Sequence, residues 1–225
     1  SKSKYNVQTP DNLIEDFGAD TLRLYEMFLG PLEQFKPWDV KGINGVHNFL
    51  RKFWRIVHDA ENNFEVSLEK PTQANYKTLH KTIKKVAEDI ERHSFNTVVS
   101  TFMICINELT EQKCNSREII SDFTVLLSSY APHISEEIWS KLGNETSVTE
   151  ANFPTFNASY LVEYEVNYPV SFNGKMRFKI TLPAEMTKEQ VEVEVLKHER
   201  TAHYLEGKSP KKVIVVPKRI INIVI

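Results

Sequence analysis

Between residues 10 and about 143 the apolar positions recur with a helical period, and after about 161 they alternate with a period of two. Pro10-Asp11 opens a short helix that Gly18 closes, and a second helix covers 19–29 before the stop at Gly30-Pro31. A long helix starts near 41. Along it Ile43, His47, Leu50, Trp54 and Val57 step by four, three, four and three, which sets one stripe toward a core. After Pro71 the same rhythm carries Tyr76, Leu79, Ile83, Val86 and Ile90, and then Phe95, Val99, Phe102, Ile106 and Leu109. A further helix opens near Ser116 with Ile119, Phe123, Leu126 and Leu127. Pro132 lacks an N–H and crowds the preceding turn, so it should kink or break that helix before Gly143. Long amphipathic helices on short connections predict a helical bundle over 41–145, preceded by the two short helices of 1–40.

In the last segment Tyr164, Val166, Tyr168, Val170 and Phe172 form one alternating run, and Met176, Phe178, Ile180 and Leu182 a second. Asn173-Gly174 lies between them. Both central residues of a type I′ turn need positive φ, so this pair predicts a tight hairpin. Residues 187–205 read as one helix, and the β-rich runs "KKVIVV" and "RIINIVI" straddle Pro217. The expectation is a multi-domain, mainly α chain. Residues 146–160 link the bundle to a small α+β unit of ββαββ order over 161–225.

Composition narrows the function without deciding it. The net charge of −2 excludes a general polyanion binder, but the charge is uneven. Residues 161–225 carry 11 Lys+Arg against 8 Asp+Glu, whereas 1–160 carry 17 against 22. Lys208, Lys211, Lys212, Lys218 and Arg219 form a local block with no acid among them. Cys105 and Cys114 make no metal-binding pair, which suggests a reducing compartment, the cytoplasm. No apolar run reaches the roughly 20 residues of a membrane-spanning helix.

A search for catalytic chemistry finds no glycine-rich phosphate loop, no H-E-x-x-H and no G-x-S-x-G. His47 on an apolar stripe and His133 after Pro132 read as structural histidines, and Glu136-Glu137 as helix-dipole partners. Surface cations are more informative. Asn44, Asn48, Arg51, Arg55 and His58 form a polar stripe without an acid, and Lys77, Lys81, Lys84 and Lys85 cluster on the next helix. Such stripes suit a phosphate backbone, because each neutralised phosphate releases counterions, but they also suit a plain solvated face. Lys175, Arg177 and Lys179 alternate along a strand, which with the basic block predicts an RNA-shape reader.

The stretch "SKSKYNVQTPDNLIEDFGADTLRLYEMFLGPLEQFKPWDVKGINGVHNFLRKFWRIV" resembles the C-terminal half of class I aminoacyl-tRNA synthetases of the leucyl family. "SSYAPHISEEIWSKLG" resembles later helices of their anticodon-binding bundle, a feature shared with isoleucyl and valyl enzymes. "VSFNGKMRFKITLP" and "YLEGKSPKKVIVVPKRIINIVI" resemble the terminal domain of bacterial-type leucyl enzymes and argue against those two relatives.

The resemblance implies a ligase that makes leucyl-adenylate from leucine and ATP with Mg2+ and transfers leucine to its tRNA. It implies that Ser1, Lys2 and Ser3 are the end of a K-M-S-K-S signature, with Lys2 on the ATP phosphates. Tyr5 departs from the glycine or asparagine expected after that signature. The nucleotide-binding and editing domains would precede Ser1, so this chain alone is expected to be inactive and to hold no cofactor. Its expected partners are those domains and leucine tRNA, held along its backbone and elbow by a monomer. The expected contacts are Arg23, Arg51, Arg55, His58, Lys175, Arg177, Lys208, Lys211, Lys212, Lys218 and Arg219. The alternatives are a free-standing tRNA- or RNA-binding protein descended from a synthetase, or a fragment of an isoleucyl- or valyl-type synthetase.

Overall fold

A computed structural model describes residues 9–162, 165–205 and 207–225. Ser1, Lys2, Ser3, Tyr5 and Tyr164 lie outside the described residues. The chain divides into two compact units, Ser1–Leu161 and Val162–Ile225.

The first unit is helical: α1 (Pro10–Phe17), α2 (Ala19–Phe28), α3 (Ile43–Ile56), α4 (Gln73–Glu91), α5 (Phe95–Glu111), α6 (Arg117–Ser128) and α7 (Pro132–Lys141). Local chemistry sets these boundaries. Pro10 sits in the first turn of α1, where a missing N–H costs nothing. Gly18 follows with φ +86° and donates its N–H to the Ile14 carbonyl, the left-handed stop that glycine adopts without strain. Thr72 and Asn75 form a reciprocal capping box at the start of α4. Pro132 does more than kink: α6 ends at Ser128, and the proline becomes the first residue of a separate helix.

The phase of α3 differs from the stripe read from sequence. Ile43, Leu50 and Val57 are buried, but so are Val46, Phe49 and Phe53, while His47 and Trp54 are only half-buried. The four-three stepping picked one shoulder of the apolar face, because His and Trp were counted as core. The true centre is an aromatic stack in which Phe123 meets Phe53 and Phe102 edge-on, at 4.9 and 5.7 Å between ring centroids.

The second unit contains β1 (Glu165–Phe172), β2 (Lys175–Pro183), α8 (Lys188–Lys197), α9 (Glu199–Leu205), β3 (Lys212–Val216) and β4 (Ile220–Val224). Its sheet order is β2-β1-β4-β3, with β1 parallel to β4 and the other pairs antiparallel. Asn173 and Gly174 have φ +48° and +81°, as a type I′ turn requires. The single helix expected over 187–205 is two. His198 is extended, its ring stacks on Phe178 at 5.0 Å, and its Nδ1 accepts the Arg200 N–H at 3.2 Å. A residue that caps a new helix cannot also continue the old one. The core joins the inward side chains of β1, β2 and β4 to Val191 and Val195 of α8.

Candidate nucleic-acid interface

The exposed side of α3 carries Asn44, Asn48, Arg51 and Arg55, all solvent-accessible. Two adjoining grooves meet at this helix. One is lined by Gly18, Ala19, His47, Arg51, Trp54 and His133, the other by Arg51, Trp54, Arg55, His58, Asp59 and Asn62. Arg51 and Trp54 belong to both, so they stand where the grooves join.

Several neighbours hold this region still. Asp20 of α2 accepts the N–H groups of His133 at 3.2 Å and Ile134 at 2.7 Å, and the His133 Nδ1–H at 2.7 Å. A buried carboxylate from one helix thus caps the N-terminus of another, where the dipole favours negative charge. The His133 side chain is itself 73% exposed at the groove. His47 is tied by Nδ1 to the Phe17 carbonyl and the Thr21 hydroxyl, at 3.3 Å each. Both histidines therefore have the structural roles read from sequence.

His58 is a correction. It lies beyond the end of α3 and is only 8% exposed, so it does not extend the polar stripe. Its ring stacks on Trp54 at 3.8 Å, and its Nδ1–H donates to the Trp54 carbonyl at 2.9 Å. Asp59 is the acid at this groove. The Asn63 amide and backbone N–H bind its carboxylate at 2.9 and 2.7 Å and hold its pKa below the usual carboxylate value, so it stays charged at neutral pH.

Arg23 stands apart. It donates to the Ser129 carbonyl at 3.0 Å beyond the end of α6, at a separate apolar cleft with Met27, Ile90, Phe95 and Tyr130. Its partner is a helix-end carbonyl rather than an acid. The α4 lysines are also partly committed. Lys85 pairs with Asp89, Lys84 reaches Glu88 at 3.9 Å, and Lys84 lies 5.8 Å from the Phe156 ring.

In the second unit a register shift at Val170/Ser171 overturns the alternation of Lys175, Arg177 and Lys179 on one face. Lys175 pairs with Phe172, a core-facing residue, while Lys179 pairs with Pro169 on the opposite side. The Arg177 guanidinium lies 5.5 Å from the Tyr204 ring of α9. The bulge places one extra residue in β2, and no period-two count foresees it.

The basic block is also divided. Lys212 pairs with Val224 and Lys211 donates its backbone N–H to the Val224 carbonyl. The β1–β2 turn reaches the same end of the sheet, where Asn173 N–H bonds the Ile223 carbonyl at 2.9 Å. Lys175, Lys211 and Lys212 therefore share one sheet end, and Lys208 precedes them by a few residues. Lys218 and Arg219 occupy the β3–β4 turn at the far end of that hairpin, with the Lys218 N–H on the Tyr168 hydroxyl at 3.0 Å. Among the described residues, Lys175, Lys208 and Lys212 form no ion pair, while the exposed Lys211 ammonium donates to the Ile225 main-chain oxygen at 3.3 Å.

Sequence reasoning missed Asp20 and Trp54. The first gave no local signal, since its partners lie more than a hundred residues away. The second was counted as core, though its place between two arginines and four residues before a histidine was legible.

Comparison with known proteins agrees with this architecture. A family model described as the anticodon-binding domain of tRNA ligase matches residues 73–194. A leucine–tRNA ligase of Christiangramia forsetii is 63% identical over the whole chain, and those of Flavobacterium johnsoniae and Bacteroides thetaiotaomicron are 59% and 51% identical. The chain spans 23–24% of the length of these relatives. A solved ternary complex titled LeuRS-tRNA-LeuAMS from Agrobacterium radiobacter superposes with a TM-score of 0.66 at 27% identity, covering all of this chain and 31% of that one. The chain belongs to the anticodon-binding domain family of tRNA ligases and matches, over its full length, the C-terminal part of leucine–tRNA ligases.

Proposed function

We propose that the chain is the part of a leucine–tRNA ligase that holds leucine tRNA by its sugar-phosphate backbone. The observation that carries this reading is the full-length match to proteins named leucine–tRNA ligase. The exposed cations support it: Arg51 and Arg55 along the α3 grooves, and Lys175, Lys208, Lys211 and Lys212 at one end of the sheet. Guanidinium and ammonium groups bind phosphate oxygens without regard to base, which fits a surface that positions a folded RNA. Lys218 and Arg219 offer a second, smaller contact at the other end of the β3–β4 hairpin. Arg23, His58 and Arg177 are left out of the contact set, because each is engaged with the protein's own groups.

In this reading the whole protein is a cytoplasmic monomer that condenses leucine with ATP and passes the leucyl group to the terminal ribose of the tRNA. Lys2, flanked by Ser1 and Ser3, would place its ammonium on the ATP phosphates. Negative charge grows on the departing pyrophosphate in the transition state, so a cation there stabilises that state more than the ground state.

The test is a binding titration of the purified chain with a leucine tRNA transcript and with an unrelated tRNA. Tighter binding of the leucine tRNA is expected. Equal binding of both would remove the leucine-specific part of the proposal, and absence of binding would remove the whole of it.

A further inference from the structure

We infer that Trp54 is a stacking platform for an unpaired nucleobase, set between two phosphate-binding arginines at the junction of the α3 grooves. The inference rests on the proposed RNA-binding role and adds to it a base contact on a surface otherwise built for backbone.

The indole is fixed before any ligand arrives. One face is covered by the His58 ring, 3.8 Å away and tilted by only 15°. His58 is in turn held by the Trp54 carbonyl through its Nδ1–H and by an edge contact to Phe64 at 5.5 Å. The indole N–H is committed as well, donating to Asn62 Oδ1 at 2.7 Å. Asn62 holds a positive φ of +63°, so the loop presenting that oxygen is tightly turned. The indole also packs in part against the bundle core, and the ring surface that remains is what it offers to a ligand. That surface is half-buried and lines both grooves.

The surroundings fit a nucleotide. Arg51 and Arg55 lie three residues before and one residue after Trp54, exposed on the same groove walls. A base on the indole would leave its flanking phosphates within reach of guanidinium groups, the pairing of aromatic and cation that single-stranded nucleic-acid sites use. The groove that holds Arg55 and Asp59 has a volume of about 560 Å³, inside the roughly 300–1,000 Å³ of small-ligand clefts. Asp59, the acid at this groove, is held by two bonds from Asn63 and forms no ion pair with Arg51 or Arg55 among the described residues. Stacking accepts any base, so the site adds affinity for an unstacked nucleotide without reading its identity.

The test uses the 225-residue chain, a short oligoadenylate and an abasic ribose-phosphate strand of equal length. Trp54→Leu should weaken oligoadenylate binding by roughly fivefold to a hundredfold, the range spanned by measured base–aromatic stacking. It should leave the abasic strand's affinity unchanged, and Trp54→Phe should recover most of the loss. Trp54→Phe also guards against a folding artefact, since it keeps a ring on His58; thermal melts of both variants check this. Equal losses on both strands would overturn the inference, because the indole would then only be positioning Arg51 and Arg55. Unchanged binding of both strands by Trp54→Leu would overturn it too. The double variant Arg51→Gln/Arg55→Gln separates the two ideas. Failure of that pair to flatten the salt dependence counts against phosphate binding here, while the strand comparison alone decides the stacking.

Discussion

The two units treat their cations differently. In the helical unit many positive groups answer to the protein itself: Arg23 caps a helix end, Lys85 pairs with Asp89, and Lys84 and Lys141 reach acids one turn away. Along α3, Arg51 and Arg55 line open grooves instead, and there an aspartate accompanies them. In the small unit the lysines at the turn end of the sheet stay exposed, and no acid among the described residues neutralises them. The larger core needs its charges for capping and register. The smaller one ties Lys197 to Glu194 and sets Arg177 and Arg200 against aromatic rings, but leaves Lys175, Lys208 and Lys212 exposed and without an ion pair among the described residues.

The strongest way to sharpen this contrast is through the cores. Phe123→Ala removes the ring that joins Phe53 and Phe102, and should destabilise the helical unit by about 3–5 kcal/mol. In the small unit Ile221→Ala at the centre of the sheet should cost about 2–5 kcal/mol. Because that unit has less to lose, urea titration of the Ile221→Ala variant should show its transition at a clearly lower urea midpoint than the wild type's. A Phe123→Ala variant as stable as the parent would mean the aromatic stack is not the keystone of the bundle.

A smaller effect concerns the cap between α2 and α7. Asp20→Ala leaves two buried-end N–H groups unpaired and should cost about 1–3 kcal/mol. His133→Ala should cost far less, since that side chain is mostly exposed. Chemical denaturation of the two variants measures the difference, and equal losses would mean that the imidazole rather than the backbone cap matters.

How much of this was legible in the sequence follows from the range of each interaction. Stop residues, the type I′ turn and the helical periods are local, so Gly18, Pro71 and Asn173-Gly174 announced their elements directly. The break at His198 and the bulge opposite Val170 depend on what a side chain meets across the unit, and alternation alone could not show them. The same limit applied to the interface. Exposed arginines on α3 were readable from spacing, but His58 turned inward because the chain leaves the helix at Val57. The lysines at 175, 211 and 212 gather only once β1, β4 and β3 are paired.

The least expected effect is on pH. His80 accepts the Asn157 N–H at 3.2 Å and stacks on Tyr160 at 4.5 Å, so the 157–161 segment closes over it against α4. Burial lowers its pKa from 6.5, and the charge of Glu118 opposes that shift only in part. The unfolded chain therefore takes up a proton before the folded one does. Stability from this contact is complete above the unfolded pKa of 6.5 and is lost as pH falls below it. His80→Gln, which keeps an acceptor but does not titrate, should flatten the decline in melting temperature between neutral and mildly acidic pH. An identical decline in the variant would place the titration elsewhere.

The central claim is that the small unit's exposed lysines at one sheet end, rather than the helical unit's acid-paired ones, meet phosphate. The direct measurement is the salt dependence of tRNA affinity for the wild type and for two variants. In one, Lys175, Lys208, Lys211 and Lys212 are changed to Gln; in the other, Lys84 and Lys85 are. Each phosphate contact contributes roughly 0.7–0.9 to the slope of log affinity against log salt. The first variant should lose up to roughly three units of slope, and the second should keep the wild-type slope within error. A quadruple variant with an unchanged slope would contradict the account.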